Sequence, residues 1–127
     1  MEQIPILKMG EFLLVTIQTE LHDETALALQ DDLTQKLAKS GARGLLIDIS
    51  GLEIVDSFIG RSLAQIAGIA RVMDATTVLV GMRAAVAITL VQLGMTLDGI
   101  RMALNVDRGM VILRDSLGEP GETPSPP

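Results

Sequence analysis

Apolar positions along the chain alternate between short continuous runs and longer spaced stripes. Phe12-Leu13-Leu14-Val15-Thr16-Ile17-Gln18, Gly44 to Ile49, and Thr76-Thr77-Val78-Leu79-Val80 are runs of bulky and β-branched residues. Such runs predict strands, the later two buried on both faces. Ile4-Pro5-Ile6-Leu7-Lys8 predicts a first strand, with Pro5 near its start or at an edge. Gly10 and Glu11 then supply the turn of a hairpin. Ile100 to Leu104 is a weaker fifth strand.

The stripes lie between these runs. Ala26, Leu29, Leu33 and Leu37 recur at helical spacing, as do Leu63, Ile66, Ala70 and Met73, and each set predicts one apolar helix face. Asp23 is read as the cap of the first helix, with Lys36 and Lys39 in its last turn and Gly41 ending it. Arg83 to Leu93 predicts a third helix stopped by Gly94. Val106 to Leu117 predicts a fourth, starting from Asn105 or Asp107 as cap. Two strands followed by alternating helices and strands define an α/β fold. Its sheet is mixed and mostly parallel, with an N-terminal hairpin and about four helices packed against it. Residues 118–127, rich in Pro and Gly without apolar anchors, are expected to form a flexible tail behind a domain spanning residues 1–117.

Composition narrows the function classes. A chain of 127 residues suits one domain with one core, and with Phe12 and Phe58 as its two aromatic residues that core is aliphatic. A formal net charge of −6 with scattered basic residues argues against nucleic-acid binding and against docking on an anionic membrane. The absence of cysteine excludes disulfides, thiolate catalysis and cysteine metal sites. Met1 to Lys8 lacks the pattern of a signal peptide, and Ala84 to Leu93 falls well short of the roughly 20 residues of a membrane span. The expected location is the cytoplasm.

The chain turns around Gly44 to Arg61, where a buried strand leads through a short connection into an amphipathic helix. The connection ends in Asp56-Ser57, two residue types favoured at a helix N-cap. A serine there has its hydroxyl beside free backbone N–H groups and the positive end of the helix dipole, a setting that suits a phosphate. Simple capping explains the same two residues, and the spacing alone does not separate the readings.

Converging catalytic groups are missing. His22 is the one histidine, and no Gly-x-Ser-x-Gly elbow surrounds Ser57. Gly41-Ala42-Arg43-Gly44 is too short for a phosphate loop. Asp31 and Asp32, neighbours on a helix, diverge rather than grip an ion. Asp48 and Asp56 bracket the connection and raise a phospho-aspartate receiver domain as a rival. That class needs a late lysine, whereas Lys8, Lys36 and Lys39 all come early. No catalytic, metal-binding or cofactor-binding residue is assigned.

Asp56-Ser57-Phe58-Ile59-Gly60-Arg61, opening a helix after a buried strand, resembles the phosphorylatable site of STAS domains, the anti-sigma factor antagonist family. The likeness extends over nearly all of residues 3 to 116. Phe58 and Ile59, where directly acting antagonists tend to carry serine and glycine, point to the branch of small single-domain subunits of the bacterial stressosome. This resemblance implies a non-enzymatic scaffold with no cofactor and with Ser57 as phosphorylation site. Asp56, Phe58, Ile59 and Arg61 are then the flanking residues that meet partners. The partners it implies are an RsbT-type serine/threonine kinase, larger RsbR-type STAS paralogues and an RsbX-type phosphatase, together with self-association. Two further readings stay open: a stand-alone antagonist that binds an anti-sigma kinase directly, and a small-ligand-binding STAS module. Ile54 and Val55 beside the site are read either as a hydrophobic staple or as a partner-binding patch. Arg71 is read as meeting an acidic partner or water, and Thr25 as an ordinary first-turn residue.

Overall fold

The computed structural model describes residues 4–18, 22–94 and 99–117. Nine elements follow in order: β1 (Ile6–Met9), β2 (Phe12–Thr16), α1 (Asp23–Ser40), β3 (Gly44–Asp48), α2 (Ser57–Val72), β4 (Thr76–Val80), α3 (Ala84–Gln92), β5 (Ile100–Ala103) and α4 (Val106–Leu117). They form one five-stranded sheet in the order β1-β2-β3-β4-β5. β1 and β2 pair antiparallel, with Leu7 opposite Leu14 and Lys8 opposite Leu13. The remaining neighbours are parallel, so β2 to β5 all finish at the same end of the sheet.

Strand alternation sorts side chains onto two faces. Leu13, Val15, Leu45, Ile47 and Leu79 point to one face and are covered by the buried stripes of α1, α2 and α3. Leu46, Val78 and Val80 point to the other face, where Leu113 of α4 meets them together with Phe12. Aliphatic residues dominate both clusters, as the near absence of aromatics requires. Close approach of α4 depends on two small residues. A β-carbon at Gly109 would stand 2.5 Å from Leu46 Cδ2, and one at Gly44 2.9 Å from Leu113 Cδ2.

The helix boundaries follow local chemistry. The N-cap position of α1 is held by His22 with no side-chain cap hydrogen bond; Asp23, expected as the cap, is the first helical residue. There its charge still favours the positive end of the dipole. Gly41 takes the left-handed conformation (φ 64°), and its N–H donates to the Leu37 carbonyl, ending the helix as expected. At α4 the choice between Asn105 and Asp107 resolves in favour of Asn105, whose Oδ1 accepts from the Arg108 N–H at 2.9 Å. Ile4, Pro5, Ile17, Gln18, Ile49 and Leu104 fall just outside the strands expected to include them. Even so, the Ile17 N–H donates to the Asp48 carbonyl and the Ile49 N–H to the Val80 carbonyl, which carries the ladder one step into the loops. The tail expected over residues 118–127 lies outside the described residues.

Candidate functional site: the start of helix α2

The connection from β3 to α2 is anchored from within. Ile49, Leu52 and Val55 are buried, and the Leu52 N–H donates to the Ile49 carbonyl at 3.0 Å, closing a turn. Gly51 lies against the backbone of Gln18, where a β-carbon would stand 2.9 Å from its Cα. Asp48 Oδ1 accepts from the Ser50 N–H at 2.9 Å. Between these anchors Ser50, Glu53, Ile54 and Asp56 face solvent. Ile54, at 75% exposure, is the apolar tip of the loop.

Asp56 holds the N-cap position in extended backbone (φ −109°), and its Oδ1 accepts from the Ile59 N–H at 2.9 Å. Ser57 is the first helical residue and is half-buried. Its hydroxyl therefore takes no part in the cap, and it makes no hydrogen bond among the described residues. The N–H groups of Ser57 and Phe58 belong to the first turn, which has no helical acceptors of its own.

The sequence-selected residues divide around this corner. Asp56 and Arg61 are exposed, Phe58 is half-buried against the core beneath α2, and Ile59 is buried at 5% exposure. Ile59 was expected among the partner-facing residues. Helical geometry turns it inward, since the third helical position lies under the cap and joins Leu63 and Ile66 in the core. Ile54 and Val55 also part company, Ile54 outward and Val55 into the core at 3% exposure. A staple in the strict sense does not form, because the fourth helical position, which would meet Val55, is Gly60.

Arg83 was read only as the start of a helix. It ties two loops together: its Nε donates to the Ser50 carbonyl at 3.0 Å, and its guanidinium stands 3.9 Å from the Glu53 carboxylate. The cationic residue at the head of α3, directly after β4, was the available signal. Asp48 shares the face of α4 and borders a hollow of about 350 Å³ with Ser50, Asn105 and Asp107. Asp56 is engaged at the head of α2, so the two carboxylates that bracket the loop do not converge. Among the described residues no group of three or more His, Asp or Glu could hold a metal ion, and no helix is long and apolar enough to cross a membrane. His22 is exposed. The corner presents a half-buried hydroxyl, an adjacent exposed carboxylate and a helix start.

The family model of the STAS domain matches residues 3–109, and the chain belongs to that family. Among curated relatives, the RsbT co-antagonist protein RsbRA of Bacillus subtilis (strain 168) is 32% identical over 107 residues. That match covers 76% of this chain and 38% of the relative, so the chain spans well under half of the relative's length. Among solved structures, RsbS of Moorella thermoacetica, in a form with a serine-to-glutamate substitution, is 35% identical with a TM-score of 0.80. It covers 91% of this chain and 98% of its own. A chain from the molecular architecture of the stressosome, described as a signal integration and transduction hub, is 38% identical with a TM-score of 0.79. There the coverage is 89% of this chain and 98% of that one.

Proposed function

We propose that this protein is a non-enzymatic, RsbS-like subunit of a stressosome. In this reading it holds an RsbT-type serine/threonine kinase and releases it when Ser57 is phosphorylated. The observation that carries the proposal is the division of roles at the head of α2. Asp56 caps the helix, which leaves the half-buried Ser57 hydroxyl without a hydrogen bond among the described residues. Likeness to RsbS of Moorella thermoacetica and to a chain of the stressosome, over nearly their full lengths, supports the scaffold assignment. The relation to RsbRA supports co-assembly with RsbR-type paralogues and with further copies of this chain.

The switch is electrostatic. A phosphate on Ser57 adds roughly −1.5 to −2 charges at neutral pH. At a helix N-terminus this charge is accommodated by the dipole and first-turn N–H groups, so the fold stays intact. The consequence falls on the partner instead. With Asp56 exposed alongside, a kinase seated over the corner meets a concentrated negative charge and loses affinity through repulsion and desolvation. An RsbX-type phosphatase resets the site. The chain works in the cytoplasm and supplies no catalysis of its own.

The test is capture of the kinase by immobilised protein. The unmodified chain and Ser57→Ala retain an RsbT-type kinase, whereas Ser57→Asp retains at least tenfold less. Equal retention by Ser57→Asp and the unmodified chain would remove the electrostatic mechanism.

A further inference from the structure

Among the described residues β1 is an edge strand, paired with β2 on one side and with no strand on the other. Half of its backbone N–H and C=O groups therefore point outward without a ladder to join. The strand also presents two unlike faces. Ile6 and Lys8 stand opposite Val15 and Leu13 and share the face that α1 covers. Leu7 and Met9, opposite Leu14 and Phe12, turn to the α4 face, where Leu7 is 57% exposed.

All three lysines of the chain gather on the first of these faces. Lys8 of β1 and Lys36 and Lys39, in the last turns of α1, border one groove of about 330 Å³. Their ammonium groups form no ion pair among the described residues. The single carboxylate on the lining, Asp32, is half-buried. Taken singly, each lysine has an ordinary explanation, as guard of an edge strand or as partner of a helix C-terminus. Those explanations leave three like charges uncompensated beside an open strand edge, in a protein of net charge −6. Such a guard is selective. A second copy of β1 would set another lysine cluster against the first, whereas an acidic strand would neutralise it.

We propose that the β1 edge accepts an extended segment of a partner protein in which acidic and apolar residues alternate. Its backbone adds one strand to the sheet. Its acidic side chains meet Lys8, Lys36 and Lys39 on the α1 side, and the residues between them cover Leu7 on the α4 side. The four residues of β1 span ~13 Å at about 3.3 Å per residue, room for roughly two acids and two apolar residues. Lys8 lies beside the start of β2, at the opposite end of the sheet from the head of α2. The segment therefore leaves the Ser57 corner open, and the proposal does not rest on phosphorylation of that serine.

The experiment is fluorescence anisotropy of a labelled eight-residue peptide of alternating Asp and Val, titrated with the full chain. Saturable binding is expected at about 50 mM salt, weakened about tenfold or more at about 500 mM. Lys36→Glu with Lys39→Glu, shown to be folded by circular dichroism, is expected to weaken it to a similar degree. Two further peptides separate strand addition from simple attraction of a polyanion. One carries four Asp followed by four Val, and the other is the alternating peptide with every backbone nitrogen methylated. Both keep the charge, and both are expected to bind about tenfold more weakly or worse. Absence of saturable binding by the alternating peptide overturns the proposal, as does undiminished binding by the lysine variant. Equal binding of the block or methylated peptide also overturns it, since a diffuse polyanion site would give that result.

Discussion

Asp56 and Ser57 are adjacent, polar and at the head of one helix, yet substitution of each has a different consequence. Asp56 makes the cap hydrogen bond to Ile59, so Asp56→Ala is expected to cost about 1 kcal/mol in urea unfolding. Ser57→Ala removes a hydroxyl outside that cap, and its effect is expected to stay within about 0.5 kcal/mol. Reversal of the two magnitudes would move the cap to Ser57. A second residue with a sharp expectation is Thr77, whose Oγ1 is buried without a hydrogen-bond partner among the described residues. Thr77→Val keeps the shape and removes an unsatisfied polar atom, and stability is expected to rise by up to about 1 kcal/mol. At this scale the sequence placed Asp56 and Ser57 at the start of a helix, where the structure has them, because Asp and Ser are both cap formers. It did not say which one capped, since that depends on backbone dihedrals set by the buried anchors Leu52 and Val55. The inward turn of Ile59 follows from the same choice of helix start.

Among the elements, α2 is the one that, in the proposed function, would accept a phosphate charge without unfolding. Its N-cap Asp56 is exposed and Ser57 half-buried, while Ile59, Leu63, Ile66 and Ala70 hold its inner face in the core. Ser57→Asp is therefore expected to leave the thermal midpoint unchanged or slightly raised. A large fall would mean that the corner responds by melting. Helix α4 poses the opposite problem, because it approaches the sheet over a glycine. Gly109→Ala would gain about 1 kcal/mol in helix propensity. Its β-carbon would nevertheless stand 2.5 Å from Leu46 Cδ2 and 2.8 Å from Val80 Cγ1, an overpacking expected to cost about 1–3 kcal/mol. The balance is destabilising, as a urea midpoint would register. Most element positions were legible from periodicity, and the predicted limits of β4 and α4 match those observed. The side of the sheet on which each helix lies was not legible, because an apolar stripe shows that a helix is covered but not by which face. The role of Arg83 stayed hidden for a similar reason: its partners, Ser50 and Glu53, are some 30 residues away in sequence.

Across the whole molecule, parallel strands bring the parts of the candidate site to one end of the sheet. The anchored loop, the cap and Arg83 all gather where the strands finish, a region where open α/β sheets commonly carry their sites. The account's central claim is that Ser57 is the acceptor of a regulatory phosphate. Its most direct test is tandem mass spectrometry of the full chain after incubation with ATP and an RsbT-type kinase, with Ser57→Ala alongside. A single phosphate on Ser57, absent from the alanine variant, is the predicted result. An unmodified Ser57 in the presence of a kinase active on another substrate, or equal phosphorylation of the alanine variant, would contradict it.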